Sequence, residues 1–115
     1  MITNYDDDTL LILQMLALES EVVFISSKLA LELYDSVKRK NGFAGDLKDA
    51  NALKLALHAP MVYQLNNQKS DIKSLAKVLR EAIISNEPFS SCNFELAGMA
   101  ESKFIELNTS QPIKN

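Results

Sequence analysis

The sequence predicts an all-α domain of four to five helices packed around one long N-terminal helix, on three observations. Thr9 to Lys40 runs without a glycine or proline. Apolar residues recur along the chain at three- and four-residue spacings, the period of a helix face. Polar or proline-containing breaks separate these runs at Asn41-Gly42, Asn66 to Lys69 and Asn86 to Pro88.

In the first run, Leu11, Met15, Leu18, Val22, Ile25, Leu29 and Leu33 keep helical spacing. A second apolar line, Leu10, Leu13, Ala17, Phe24, Leu31 and Tyr34, lies beside it, and Gln14, Glu21, Lys28 and Asp35 make the one polar stripe. A surface helix hides an apolar stripe of about 100° or more, and this pattern needs cover well beyond that. A thirty-residue helix reaches about 45 Å, whereas a compact chain of this size spans roughly 34 Å. The helix therefore bends, at Glu19-Ser20 or Ser26-Ser27, or projects and is completed by a second copy. On that reading Leu11, Met15, Leu18, Val22, Ile25 and Leu29 are the self-association residues, and the protein is a homo-oligomer.

Both ends of the run suit a helix. Asp6, Asp7 and Asp8 offer N-caps and negative charge at the positive end of the dipole, and Lys38, Arg39 and Lys40 occupy the last turn before Gly42. Glu19 and Glu21 interrupt the uncharged stretch a membrane span would need. The three aspartates stand where a signal peptide is basic.

A second helix is expected from Asp46, with Asp49 three residues on, burying Leu47, Ala50, Leu53, Ala56 and Leu57. Pro60 ends or kinks it, and Pro60 to Leu65 begins a short new helix with Met61, Val62 and Leu65 in the core. Ser70 is the expected N-cap of the clearest amphipathic helix, 71 to 85, with Ile72, Leu75, Ala76, Leu79, Ala82 and Ile83 on one face. Residues 92 to 107 fit a helix through Phe94, Ala97, Phe104 and Ile105, and also a short β-hairpin through Ala97-Gly98-Met99; the helix formers Ala97, Met99, Ala100 and Glu101 favour the helix. The expected domain is 1–107, followed by a loose tail, 108–115.

No catalytic constellation emerges. His58 is the single histidine and stands beside Ala59-Pro60, where an imidazole caps carbonyls. One cysteine, Cys92, and one histidine cannot build a usual zinc site. Ser70 to Lys73 and Ser74 to Lys77 match S-x-x-K without the companion elements of a Ser-Lys acylase. Glycine-rich phosphate loops are absent from the sequence. Expected cofactors, metals and catalytic residues are therefore none, and the lone thiol suits a cytoplasmic setting.

Charge is uneven. Residues 1–37 carry seven acids and one base, 38–80 three acids and nine bases, and 81–115 five acids and two bases. Lys69, Lys73, Lys77 and Arg80, at spacings of four, four and three, form a basic edge opposite the apolar face of the third helix. The sequence thus points to a small non-catalytic helical protein of the adaptor, inhibitor, chaperone or immunity type, binding a protein partner through Lys69, Lys73, Lys77 and Arg80. Nucleic-acid binding through the basic 38–80 region is the alternative, though no aromatic or Asn/Arg base-reading side chains interleave with the lysines. No membrane role is expected.

Overall fold

The third amphipathic run is the centre of the molecule. In the computed structural model, which describes residues 22–42, 45–67 and 69–109, the helices are α1 (Ser27–Asn41), α2 (Ala50–Asn66), α3 (Ile72–Asn86) and α4 (Asn93–Thr109). α3 packs along both α2 and α4, while α1 lies on α4 and touches α2 only marginally. Leu75, Ala76, Leu79 and Ile83 of α3 meet Leu96, Ala97, Ala100 and Phe104 of α4, all at or below 1% exposure. Burying each of the larger side chains is worth about 1.5–3 kcal/mol. The described residues span 42 × 38 × 19 Å, and 19 Å is about two helix diameters. The helices form a shallow two-layer arrangement and do not wrap a central rod.

The expected Thr9–Lys40 helix is corrected where it can be followed. Residues 9–21 lie outside the described residues, and 22–26 are not helical. Val22, Val23, Phe24 and Ile25 are β-branched or aromatic and gain little from a helix. Ser26, extended at φ −82° and ψ 164°, accepts the Leu29 N–H on its hydroxyl and starts α1 there. The far end is as expected: Lys38, Arg39 and Lys40 fill the last turn, and Gly42, at φ 70°, donates its N–H to the Lys38 carbonyl.

Asparagine amides hold non-helical backbone at both ends of α4. Asn108 accepts the Val23 N–H at 2.7 Å and donates to the Val23 carbonyl at 2.9 Å. Asn93 does the same for Phe89, at 3.0 and 2.8 Å. Each amide pairs with one residue's donor and acceptor as a neighbouring strand would. Asn108, expected at the head of a loose tail, is thus a structural residue of α4. The hairpin alternative for 92–107 gives way to one continuous helix, because Leu96, Ala97, Ala100 and Phe104 share one buried helical face.

The second helix starts later than expected. Asp49, not Asp46, is its N-cap, accepting the Ala52 N–H at 3.0 Å. Leu47 consequently stands outside the helix, 37% exposed, in an antiparallel bridge with Phe89. Asp46 and Ser90 close this bridge reciprocally: Ser90 N–H donates to the Asp46 carbonyl and Asp46 N–H to the Ser90 hydroxyl. Pro60 lies inside α2, and the helix continues through it to Asn66. The lost backbone bond is offset by full burial of the ring, and the side chains of Asn66 and Asn67 close the helix end by donating to the Val62 and Tyr63 carbonyls. Leu65, expected in the core, is 43% exposed.

Candidate functional site

The N-cap of α3 shifts by one residue from the expected Ser70. Asp71 accepts the Ser74 N–H at 2.8 Å, and the Ser70 hydroxyl donates to the Asn67 carbonyl instead. The Ser74 backbone N–H, then its hydroxyl, hold the Asp71 carboxyl below the usual carboxylate range, and the charge of Lys73 acts in the same direction. With the helix starting at Ile72, Lys69 belongs to the α2–α3 turn, and only Lys73, Lys77 and Arg80 stand on the helix.

The basic edge divides by neighbourhood. Lys69, Lys73 and Lys77 are exposed, and none of them is within salt-bridge distance of a carboxylate among the described residues. Arg80 is two-thirds covered; its Nε lies 3.2 Å from Glu101 Oε1 on α4, in a direct charge pair without hydrogen-bond geometry. The Asp71 carboxylate already meets the positive end of the α3 dipole as its N-cap, one residue before the helix. Beside it an open recess of about 500 Å³ is lined by Tyr63, Asn67, Lys69, Ser70, Asp71 and Ser74. Tyr63 is 38% exposed. Sequence reasoning missed Tyr63, because it follows a proline expected to end the helix that carries it.

Two residues of the other basic run, Lys38 and Arg39, are spent locally. Lys38 donates to the Gly45 carbonyl at 2.9 Å and lies 5.3 Å from the Tyr34 ring centroid. Arg39 pairs with Asp35 at 3.3 Å. No Cα of α1 comes within 8 Å of one in α3.

Of the expected self-association residues, Leu11, Met15 and Leu18 lie outside the described residues. Ile25 is a core residue at 4% exposure, and Val22 and Leu29 pack against the same core. Their cover comes from within the chain.

The residues weighed for catalysis find structural duties. His58 is buried and its Nδ1–H donates to the Lys54 carbonyl at 2.7 Å, in mid-helix and not at a helix end. Cys92 is half-buried at φ 63°, its carbonyl accepting the Leu96 N–H in the first turn of α4. Among the described residues no three His, Cys, Asp or Glu side chains gather to hold a metal ion, and no helix is long and apolar enough to cross a membrane. No family model, curated protein or solved structure matches the chain.

Proposed function

We propose that the chain is a non-catalytic protein-binding domain whose α2–α3 corner receives an acidic surface of a partner protein. The observation that carries this reading is the row Lys69, Lys73 and Lys77, exposed and without a salt bridge among the described residues, while Arg80 of the same edge is neutralised by Glu101. Lys73 and Lys77 are like charges one helical turn apart, and such pairs disfavour the isolated helix. An acidic partner would relieve that like-charge penalty. Tyr63, which shares the recess with Lys69, supplies an amphipathic ring of the kind enriched in protein interfaces, and that recess also carries Asn67 and Ser70 for polar contacts beside the Asp71 carboxylate. The unpaired half-buried Cys92 suits a reducing, cytoplasmic setting.

The test is affinity capture from native lysate with the wild-type chain and with Lys69, Lys73 and Lys77 all changed to Glu, read by mass spectrometry. The expected result is an acidic protein retained by the wild type and lost by the reversed variant, with unchanged helical circular dichroism. The same proteins retained by both would overturn the reading. Duplex DNA titrated at low and moderate salt distinguishes the alternative: affinity falling steeply with salt and abolished in the variant would transfer the site to nucleic acid.

A further inference from the structure

The bridge between Leu47 and Phe89 leaves backbone hydrogen-bonding groups pointing outward on both sides. Its two cross-chain backbone bonds are made by the neighbours, Ser90 N–H to the Asp46 carbonyl at 2.9 Å and Lys48 N–H to the Pro88 carbonyl at 2.8 Å. Leu47 and Phe89 are therefore an antiparallel pair of the non-hydrogen-bonded type, and each turns its own N–H and C=O away from the other. On the Phe89 side the Asn93 amide takes both groups. On the Leu47 side neither group has a hydrogen-bond partner among the described residues. The bridge is fixed in place, because Phe89 is buried and stacked on Tyr34 with ring centroids 3.8 Å apart. Leu47 is thus a one-residue edge open to a further strand. Beside it an open recess of about 710 Å³ is walled by Leu31, Tyr34, Leu47 and Phe89, and Leu31 is 42% exposed.

We propose that a second copy of the chain adds to this edge, the two Leu47 residues pairing antiparallel about a two-fold axis that runs between them. The occupant follows from the backbone and from charge. In an antiparallel pair of the hydrogen-bonded type two residues exchange both bonds, so Leu47 N–H donates to the carbonyl of the partner's Leu47 and the axis repeats the bond in reverse. In that register the residue before position 47 of one copy stands directly opposite the residue after it in the other. Asp46 then faces the partner's Lys48, and Lys48 faces the partner's Asp46. Both side chains are exposed, and neither is in a salt bridge among the described residues. Alternation along the strand sets the two Leu47 side chains next to each other on the opposite face, the one that Phe89 shares. This edge lies at the start of α2 and the basic corner at its end, so neither surface depends on the other.

Sedimentation equilibrium and amide hydrogen exchange of the full chain, from low to high micromolar concentration, read the proposal together. The wild type should move from 12.8 kDa toward twice that mass, and the Leu47 amide should gain protection in step. Asp46→Lys should weaken the dimer about tenfold, because it turns both cross-strand ion pairs into repulsions. Lys48→Asp should do the same, and the two changes made in one chain should restore association. Leu47→Pro removes the donor from both bonds at an edge position that tolerates proline, and should abolish the dimer while helical circular dichroism is kept. A wild type that stays at 12.8 kDa throughout would overturn the proposal. So would a dimer whose Leu47 amide stays unprotected, or a double reversal that fails to restore what each single change lost.

Discussion

Replacing Asn108 tests how the segment before α1 is held. Its amide makes two hydrogen bonds to Val23, at 2.7 and 2.9 Å, and a third to the Phe104 carbonyl at 2.8 Å. A typical hydrogen bond contributes about 0.5–1.5 kcal/mol net. The two bonds to Val23 are solvent-exposed, which puts each near the low end of that range, so Asn108→Ala should cost about 1–2 kcal/mol if residues 22–26 stay in place. If the segment detaches, Ile25, at 4% exposure, and the Phe24 contact with Phe104, ring centroids 6.0 Å apart, are lost as well. That adds about 1.5–3 kcal/mol for the isoleucine alone. At roughly 4 °C per kcal/mol for a domain of this size, the melting temperature should fall by about 4–8 °C in the first case and more in the second. Asn108→Asp separates the two sides of the clamp. It keeps the acceptor for the Val23 N–H but sets a carboxylate against two carbonyls, so at neutral pH it should be at least as damaging as alanine and should recover in acid, when a protonated oxygen can donate again. Thermal melts and hydrogen exchange at the Val23 amide read both effects. An alanine variant with wild-type melting temperature and wild-type protection at Val23 would show that the clamp does not hold the segment.

Gly45→Ala should destabilise by about 1–3 kcal/mol, because a Cβ there collides with the Tyr34 and Ser91 hydroxyls while Tyr34 is pinned by its stack on Phe89, ring centroids 3.8 Å apart; an unchanged urea midpoint would show that the junction yields freely. Asp71 should make stability depend on pH. Its carboxyl is held below the usual range, so its contribution is present above the unfolded value, near 3.9, and is lost as pH falls through the lower folded value. Asp71→Asn keeps a good cap without the titration, and the stability gap between wild type and variant should shrink on acidification. A gap constant from pH 7 to pH 2 would refute the assignment.

The candidate site was legible in the sequence as a row of like charges but not as a surface. Periodicity put Lys69, Lys73, Lys77 and Arg80 on one edge, and three of the four are exposed as that reading requires. It could not show that Arg80 faces Glu101 from another helix, nor that Tyr63 joins the edge, because both depend on how helices separated in sequence lie together. Gly98 read as a possible hairpin turn, since the strand-like alternation around it competes with helical spacing over so short a window. Burial of Leu96, Ala97, Ala100 and Phe104 on one face against α3 decides for the helix.

What the sequence determined by itself is what local energetics decides: that 27–41, most of 50–66 and 72–86 favour helix and that 92–107 leans to it, that Gly42 stops the first, and that the chain breaks near 66–69 and 86–88. Tertiary structure decided which helix is central. An apolar circumference shows that a segment needs cover without naming what covers it, so the most apolar run looked like the hub, whereas α3, with a plainer one-sided pattern, is enclosed by α2 and α4. It also decided where helix gives way to extended chain. At Val22 to Ser26 helical periodicity persists through residues with weak helix preference, and two hydrogen bonds from Asn108, 85 positions away, hold Val23 outside any helix. No local window contains that partner, and a local preference of a few tenths of a kcal/mol per residue yields to a distant contact worth more.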